Sequence, residues 1–239
     1  MSARFHETRW TLVSRSKGDD AVSRAALGEL CEAYYAPVVA FLRRDGRTED
    51  AARDLAHDFF ARLLAGGMIA GADPMLGRFR TYLLMALKRF AADQRERANA
   101  AKRGGGRGHV AIGAETTEAG TGWQIADERA EAPDAAFDRQ WAITVLARAL
   151  ATVEAELRGS GKGDHFDVLK PWLTGDAGTP SQAEAAGRLG MGEGALKVAI
   201  HRLRKRFRAA VKAEIAQTVS GEGSVEEEMA ALIAALCGG

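Results

Sequence analysis

Cysteine is scarce in this sequence, and no long hydrophobic run is present. The 239 residues include only Cys31 and Cys237, which are far apart in the chain. Two distant cysteines do not make a disulfide framework. No run of about 18 apolar residues occurs, so we expect no membrane-spanning helix. No apolar stretch follows a basic start either, so we expect no signal peptide and a cytoplasmic location.

The residue patterns of catalytic and metal sites are also missing. No second histidine or cysteine lies at ligand spacing from His165. Residues 159–163 (GSGKG) resemble part of a phosphate loop. However, no Ser or Thr follows Lys162, and Glu156 stands where the motif requires a glycine. We therefore expect no enzyme, no metal site and no cofactor.

The charges are segregated along the chain, although the net charge is only +1. Residues 186–212 contain eight Lys or Arg and one acid, whereas residues 104–135 contain six acids and two Arg. Fields between exposed charges are screened beyond about 10 Å, so the local sign decides which partner a surface attracts. The basic block favours a nucleic-acid partner.

Apolar residues recur at helical spacing in almost every ordered stretch, and alternation with period two is nearly absent. This pattern predicts an all-α protein. We expect a helix over residues 27–42 with a kink or a break near residues 35–36, because Pro37 lies inside it. Further helices are predicted from Glu49 to the Gly66-Gly67 pair, over residues 79–97, from Pro133 to Gly159, and over residues 165–173.

The helical pattern stops in a segment rich in Gly and Thr, which reads as a flexible acidic linker. We therefore expect two helical domains at residues 1–103 and 134–216, the linker at residues 104–133, and a tail at residues 217–239. In the tail, five apolar residues share one helical face beside the acids of residues 226–228, and we expect this helix to mask a basic surface. The five residues are Val225, Met229, Leu232, Ile233 and Leu236.

Residues 181–212 read as a helix-turn-helix. Ser181 and Glu184 form a capping box at the start of a short helix. A turn at Gly190-Met191-Gly192 separates this helix from a second one, which begins at Glu193.

The second helix combines an apolar face with a cationic face, as a major-groove reader requires. Leu196, Ile200, Leu203 and Phe207 form the apolar face. For base contacts we single out Lys197, His201 and Arg202. For phosphate contacts we single out Arg204, Lys205 and Arg208.

A second basic segment precedes the linker, at residues 79–97, where cations alternate with aromatic residues. Such a helix can hold the backbone of a melted strand while a base stacks on a ring. Because Phe79, Tyr82 and Phe90 recur at core spacing, we expect at most one or two of them to be free to meet a base. The cations are Lys88, Arg89, Arg95 and Arg97.

The order of these motifs resembles sigma-70-type initiation factors of the extracytoplasmic-function (ECF) subgroup. The acidic pattern of residues 49–60 (EDAARDLAHDFF) is similar to the polymerase-binding helix of that family. It is followed by residues 79–84 (FRTYLL) and by the helix-turn-helix, and residues 9–13 (RWTLV) resemble the opening of one ECF branch. The resemblance covers roughly residues 5–103 and 134–216. It implies a sigma-2-like domain, a sigma-4-like domain and a linker that runs through the polymerase cleft.

The resemblance also implies three sites and their partners. Core RNA polymerase would be bound through its β′ clamp coiled coil and its β flap, and promoter DNA at two elements. An anti-sigma factor or a Ser/Thr kinase would be the regulator. The clamp site would be Glu49, Asp50, Asp54, Asp58 and Phe59; the −10 site Lys88, Arg89, Asp93, Gln94, Arg95 and Arg97; and the −35 site Lys197, Val198, His201, Arg202 and Arg204.

Two other classes of protein stay open. A stand-alone helix-turn-helix regulator explains residues 181–212 equally well, but not the basic segment at 79–97 or the acidic helix before it. A polymerase-binding adaptor would use residues 49–64 and leave the cationic face unused.

The polymerase-facing helix departs from the family at two positions. Arg53 stands where an acid is usual, and His57 stands where Gln is usual. Both departures shift this helix towards positive charge. A phosphate on Thr48, close to Arg53, would restore negative charge. We therefore expect Thr48→Glu to bind core polymerase more tightly than the wild type. Equal affinities in a titration of core polymerase with the two proteins would contradict this hypothesis.

Overall fold

The computed structural model describes residues 21–65, 78–104, 131–175, 180–217, 219 and 222–237. Every regular element within these ranges is a helix, which confirms the all-α prediction. Residues 105–130 of the predicted linker, the segment 9–13 and the Gly66-Gly67 pair lie outside them. The helices are α1 (Ala21–Arg44), α2 (Glu49–Leu64), α3 (Phe79–Gly104), α4 (Pro133–Gly159), α5 (Gly163–Leu169), α6 (Pro171–Thr174), α7 (Gln182–Arg188), α8 (Glu193–Ala216) and α9 (Glu222–Cys237).

The first helix continues through Pro37, so of the predicted kink or break near residues 35–36 the break is wrong. A proline inside a helix costs about 3 kcal/mol or more, because it removes a backbone donor and clashes with the preceding turn. Here Tyr34, Val38 and Leu42, at helical spacing around Pro37, are all 0% exposed. Full burial of one large apolar side chain contributes roughly 1.5–3 kcal/mol, so packing outweighs the proline.

Proline does divide the helix that was predicted over residues 165–173. α5 ends at Leu169 and α6 begins at Pro171, so the prediction of one helix is wrong. Pro171 lacks the N–H that would continue the helical ladder, and a proline is favoured at the first position of a new helix. Gly175 follows α6 in the left-handed conformation, with φ of 70°, and ends it.

A first core unites helices from both ends of the described chain. Its buried residues come from α1, α2, α3, the first part of α4, the last turns of α8, and α9. Phe59 of α2 packs against Phe90 of α3 with ring centroids 5.5 Å apart, and Phe79 meets Tyr34 of α1 at 5.3 Å. From α4, the buried side chains are those of Phe137, Trp141, Ala142, Val145 and Ala149.

A second core lies under the helix-turn-helix. Val153 and Leu157, near the end of α4, pack there with Phe166 and Leu169 of α5. Ala185 and Ala186 come from α7, and Leu196, Ile200 and Leu203 from α8. The same helix, α4, therefore serves both cores. The buried clusters do not separate at the predicted linker, and the division into a sigma-2-like and a sigma-4-like domain stays a prediction.

The tail forms a helix, α9, but its buried face differs from the predicted one. Leu232 is buried, whereas Ile233 is 55% exposed and Leu236 is 38% exposed. Glu228 is 0% exposed instead. The buried face is turned towards Glu228, since that carboxylate pairs with Arg80 inside the protein.

The two cysteines have different environments, which predicts different reactivity. Burial raises the pKa of the Cys31 thiol to about 11, against a smaller opposing effect of a backbone hydrogen bond. Because only the thiolate reacts, and a thiol with that pKa is about one-thousandth ionised at pH 8, Cys31 should react slowly. Cys237 is exposed near the end of α9 and should react fast.

Ellman's reagent at pH 8 should therefore give a fast and a slow phase, and raising the pH towards 10 should accelerate the slow one. In Cys237→Ser the fast phase should disappear. A single phase that accounts for both thiols would contradict the assignment.

Candidate nucleic-acid interface

The helix-turn-helix forms as the sequence predicts. The Ser181 hydroxyl accepts a hydrogen bond from the Glu184 backbone N–H at 3.2 Å. The Glu184 carboxylate accepts one from the Ser181 backbone N–H at 2.9 Å. The Glu184 carboxylate also accepts from the Ser181 hydroxyl at 2.9 Å. The two bonds from Ser181 to the charged carboxylate hold the pKa of Glu184 below its usual value. The reciprocal bonds of the capping box satisfy backbone donors at the start of α7, and Ala185 and Ala186 pack this helix in the second core.

The turn between α7 and α8 depends on one glycine. Gly190 has a φ of 62°, a left-handed conformation that side chains with a Cβ rarely adopt. The Met191 N–H donates to the Ala186 carbonyl at 3.0 Å and closes the turn. Gly192 then caps α8 in an extended conformation without a side-chain bond. The chain direction changes here within a few residues, so that α8 lies across the second core.

The two predicted faces of α8 are separate. Leu196 is 0% exposed, and Ile200 and Leu203 are also buried, as predicted. Phe207 is half-buried and packs against the first core rather than the second. The cationic side chains are exposed on the other face, with Lys212 half-buried at its end: Lys197, His201, Arg202, Arg204, Lys205 and Arg208.

Most cations of this face have no acidic partner in the part of the chain that the structure describes. No ion pair there involves Lys197, Arg202, Lys205 or Arg208. Arg204 donates to the Trp172 carbonyl at 3.2 Å and so braces α8 against α6. Unpaired cations that follow one helix face give the local positive potential that a phosphate backbone requires.

Val198, the one apolar member of the predicted −35 site, is 48% exposed. It lines a cavity of about 400 Å³ together with Leu157, His165 and Arg202. Arg206, which the sequence reasoning did not select, lines the same cavity. It also lines a smaller one of about 290 Å³ with Arg202 and Lys205. Its position four residues after Arg202, on the same helix face, was the signal that could have found it.

The cations predicted to bind the −10 element are partly occupied. Lys88 pairs with Asp134 of α4 at 2.6 Å, and Arg95 pairs with Asp45 after α1 at 2.9 Å. Arg89, Asp93 and Arg97 are exposed, and Gln94 is half-buried. The cations of α3 are thus less available than those of α8.

The aromatic residues of α3 agree with the expectation that most are buried. Phe79 is 0% exposed and Phe90 is 3% exposed, both in the first core. Tyr82 is half-buried. Burial raises its pKa, against a smaller opposing effect of the Arg89 charge. Tyr82 is therefore the ring of this set that reaches the surface.

The predicted polymerase-binding helix, α2, presents three acids and buries its aromatic. Asp50, Asp54 and Asp58 are exposed. Glu49 pairs with Arg53 at 2.9 Å and with Arg43 at 2.8 Å. Phe59 is 0% exposed and packs in the first core, so it supports α2 from inside and is not a surface contact in this structure.

Thr48 caps the N-terminus of α2, where its hydroxyl accepts from the Ala51 N–H at 3.4 Å. It lines a cavity of about 480 Å³ together with Arg43, Arg47 and Arg139.

The tail does not cover the α8 cations as expected. Within the described ranges its acids pair with Arg78, with Arg80 and, among the α8 cations, with Lys212 alone. The position of the tail was predicted from charge complementarity with exposed cations, and this reasoning did not anticipate that Glu228 pairs with the buried Arg80.

Two further kinds of site can be assessed in the described ranges. They contain no group of three potential metal ligands. Their helices are not long and apolar enough to cross a membrane.

Comparisons of the chain with family models, with curated proteins and with solved structures give no match.

The unpaired cations of α8 predict salt-dependent binding to duplex DNA. We expect Arg208→Ala to weaken binding to a random-sequence duplex at low salt. The slope of log K against log salt should fall by about 0.9, because one phosphate contact is lost. Fluorescence anisotropy over a salt series measures both effects.

Arg53→Ala is the matched control, since it removes an equal charge from α2. It should leave both the affinity and the slope unchanged. Equal effects of the two substitutions would mean that the affinity for DNA depends on the net charge of the protein and not on the cationic face of α8.

Proposed function

We propose that this protein is an ECF-type sigma factor, which binds core RNA polymerase, directs it to specific promoters and promotes melting of the −10 region. One observation carries the proposal: a capped helix-turn-helix presents a cationic face that is mostly unpaired within the described ranges, and an acidic helix and a basic helix precede it in the family's order. The proposal makes the protein a specificity subunit without catalytic residues of its own.

Three helices, α2, α3 and α8, make the proposed contacts. The exposed acids of α2, Asp50, Asp54 and Asp58, bind the β′ clamp coiled coil, and the β flap provides a second polymerase contact. The first half of α8 reads the −35 element through base contacts of Lys197, His201 and Arg202. The second half of α8 contacts phosphates through Arg204, Lys205 and Arg208, and we add Arg206 to this set. Phosphate contacts set the position, and base contacts set the specificity.

The −10 element is assigned to α3. Arg89 and Arg97 are available for backbone contacts, and Tyr82 is the ring nearest to a base. Lys88 and Arg95 are occupied by Asp134 and Asp45, so promoter binding has to replace two ion pairs. The exposed pair of Lys88 with Asp134 contributes at most about 1 kcal/mol, which a phosphate contact can offset. The Asp45 side chain is only 8% exposed, so release of Arg95 leaves a buried carboxylate without its partner and costs more.

One observation favours a second candidate, a stand-alone regulator that binds duplex DNA. Within the described ranges Lys197, Arg202, Lys205 and Arg208 of α8 have no ion pair, whereas Lys88 and Arg95 of α3 are paired. A regulator needs only α8 and should hold its operator alone at about nanomolar affinity. A sigma factor should need core polymerase for specific binding.

Size-exclusion chromatography with bacterial core RNA polymerase, at moderate salt, tests the proposal. We expect co-elution of the wild type and a loss of affinity of at least about tenfold for Asp54→Lys, because like charges then face each other at the clamp. Glu156→Lys, the same change at an exposed site on α4, should bind like the wild type.

Folded wild-type protein that does not co-elute, but binds a selected duplex alone, would replace the sigma proposal by the regulator. If Asp54→Lys and Glu156→Lys reduce co-elution equally, the protein binds polymerase, but α2 is not the binding site.

A further inference from the structure

The Arg80 side chain joins three helices in the interior of the protein. Its guanidinium donates to both carboxylate oxygens of Glu228 in α9, from Nε at 2.8 Å and from Nη2 at 3.1 Å. Nη1 donates to Asp138 of α4. The Trp141 ring of α4 lies with its centroid 4.5 Å from Cζ. A bidentate pair of this kind fixes the orientation of α9 as well as its position.

Burial makes this contact depend on all its members. Glu228 is 0% exposed and Arg80 is 8% exposed. Burial alone would lower the pKa of the Arg80 guanidinium, but hydrogen bonds and charge from Glu228 and Asp138 raise it above its usual value. A buried charge is stable only while its partner is present, so Arg80 retains α9 through Glu228. Exposed pairs such as Arg78 with Glu227 contribute little by comparison.

Apolar contacts of α9 complete the attachment. Leu232 is buried in the first core, and Val225 and Met229 pack against it. Glu226 pairs with Lys212 of α8 at 2.6 Å. The same helix thus contacts α3, α4 and α8. It covers the place where the last turns of α8, at Val211 and Ile215, enter the first core.

The packing of α4 on α1, to which this attachment adds, keeps the two DNA-binding helices close together. Val198, next to Lys197, lines a cavity with Leu157 of α4. Leu157 lies about 35 Å along α4 from Asp134, at 1.5 Å per residue, and Asp134 pairs with Lys88. With about 10 Å for each of the two helix-to-helix steps, Lys197 and Lys88 are within roughly 55 Å. The −10 and −35 elements are about 25 base pairs apart, or about 85 Å at 3.4 Å per base pair.

We propose that α9 is an intramolecular latch: it holds the helix-turn-helix against the first core in a closed form, and it must detach before α3 and α8 can reach both promoter elements. The inference rests on the proposed sigma function. It differs from masking of the α8 face, because Lys197, Arg202 and Lys205 stay exposed while α9 is attached. The latch controls the distance between two sites and leaves the surface of each accessible.

Two neighbouring residues of α9 provide a matched test in the full-length chain. Leu232→Glu places a charge in the first core and should detach α9, whereas Ile233→Glu adds the same charge at an exposed position. For Leu232→Glu we expect faster hydrogen exchange of the α9 amides and a larger radius of gyration by small-angle X-ray scattering. Core polymerase should bind this variant at least about tenfold more tightly, because a closed state lowers the apparent affinity by the fraction of open molecules. Ile233→Glu should match the wild type in all three measurements.

A second pair of variants leaves the apolar core intact, in case Leu232→Glu does not fold. Glu228→Gln removes the charge that retains Arg80 and should change the same three quantities in the same direction. Glu227→Gln, the same change one residue earlier at a site that is 70% exposed, should change none of them.

The outcomes separate the latch from the proposed function. Faster α9 exchange with an unchanged radius of gyration would overturn the latch and make α9 a cover for the core. A larger radius with unchanged polymerase affinity would overturn its regulatory role while the sigma function stands. If no variant binds polymerase, the wild type included, the sigma proposal fails together with that role, and the radius still decides whether α9 closes the chain.

Discussion

Apolar side chains of α4 are buried from Phe137 near its start to Leu157 near its end. A helix of this length, about 40 Å at 1.5 Å per residue, cannot bury such a face against one small bundle. Its first part is covered by α1 and the first core, and its last part by α5, α7 and α8 in the second core. Because one helix serves both cores, the position of the helix-turn-helix relative to α3 is set by α4 and by whatever holds α4 in place.

The exposed charges of α2, α3 and α8 differ in how many of them are already held in ion pairs. Acids of neighbouring elements occupy the α3 cations Lys88 and Arg95, and Glu49 of α2 is held by two arginines. On the exposed face of α8, Lys197, Arg202, Lys205 and Arg208 have no ion pair within the described ranges, and on α3 the same holds for Arg89 and Arg97. Under the proposed function, a polyanion would bind these cations of α8 without exchange of an ion pair, whereas on α3 it would have to exchange two.

The sequence predicted the local features that depend on neighbouring residues. The capping box at Ser181, the glycine turn and the apolar face of Leu196, Ile200 and Leu203 follow from short-range rules and are confirmed. Features set by distant residues were not accessible. The pairing of Arg80 with Glu228 spans 148 positions, and no local pattern distinguishes these residues from exposed ones. For the same reason Phe59 was interpreted as a surface contact, and a kink or break was predicted near Pro37, where the helix continues. In both places the packing of other helices decides.

The buried residues of α4 recur every four positions, at Phe137, Trp141, Val145, Ala149, Val153 and Leu157. An α-helix turns by about 100° per residue, so each such step advances the buried line by about 40° around the axis. From Phe137 to Leu157 the line winds through about 200°, so the two cores face different sides of one rod. The number of residues in α4 therefore determines the angle around its axis at which the second core lies relative to the first. Insertion of one residue between Ala149 and Val153 would swing the helix-turn-helix by about 100° while moving it only about 1.5 Å along the axis. The length of this helix is thus constrained more by the side of the axis on which each core must lie than by the distance between the cores.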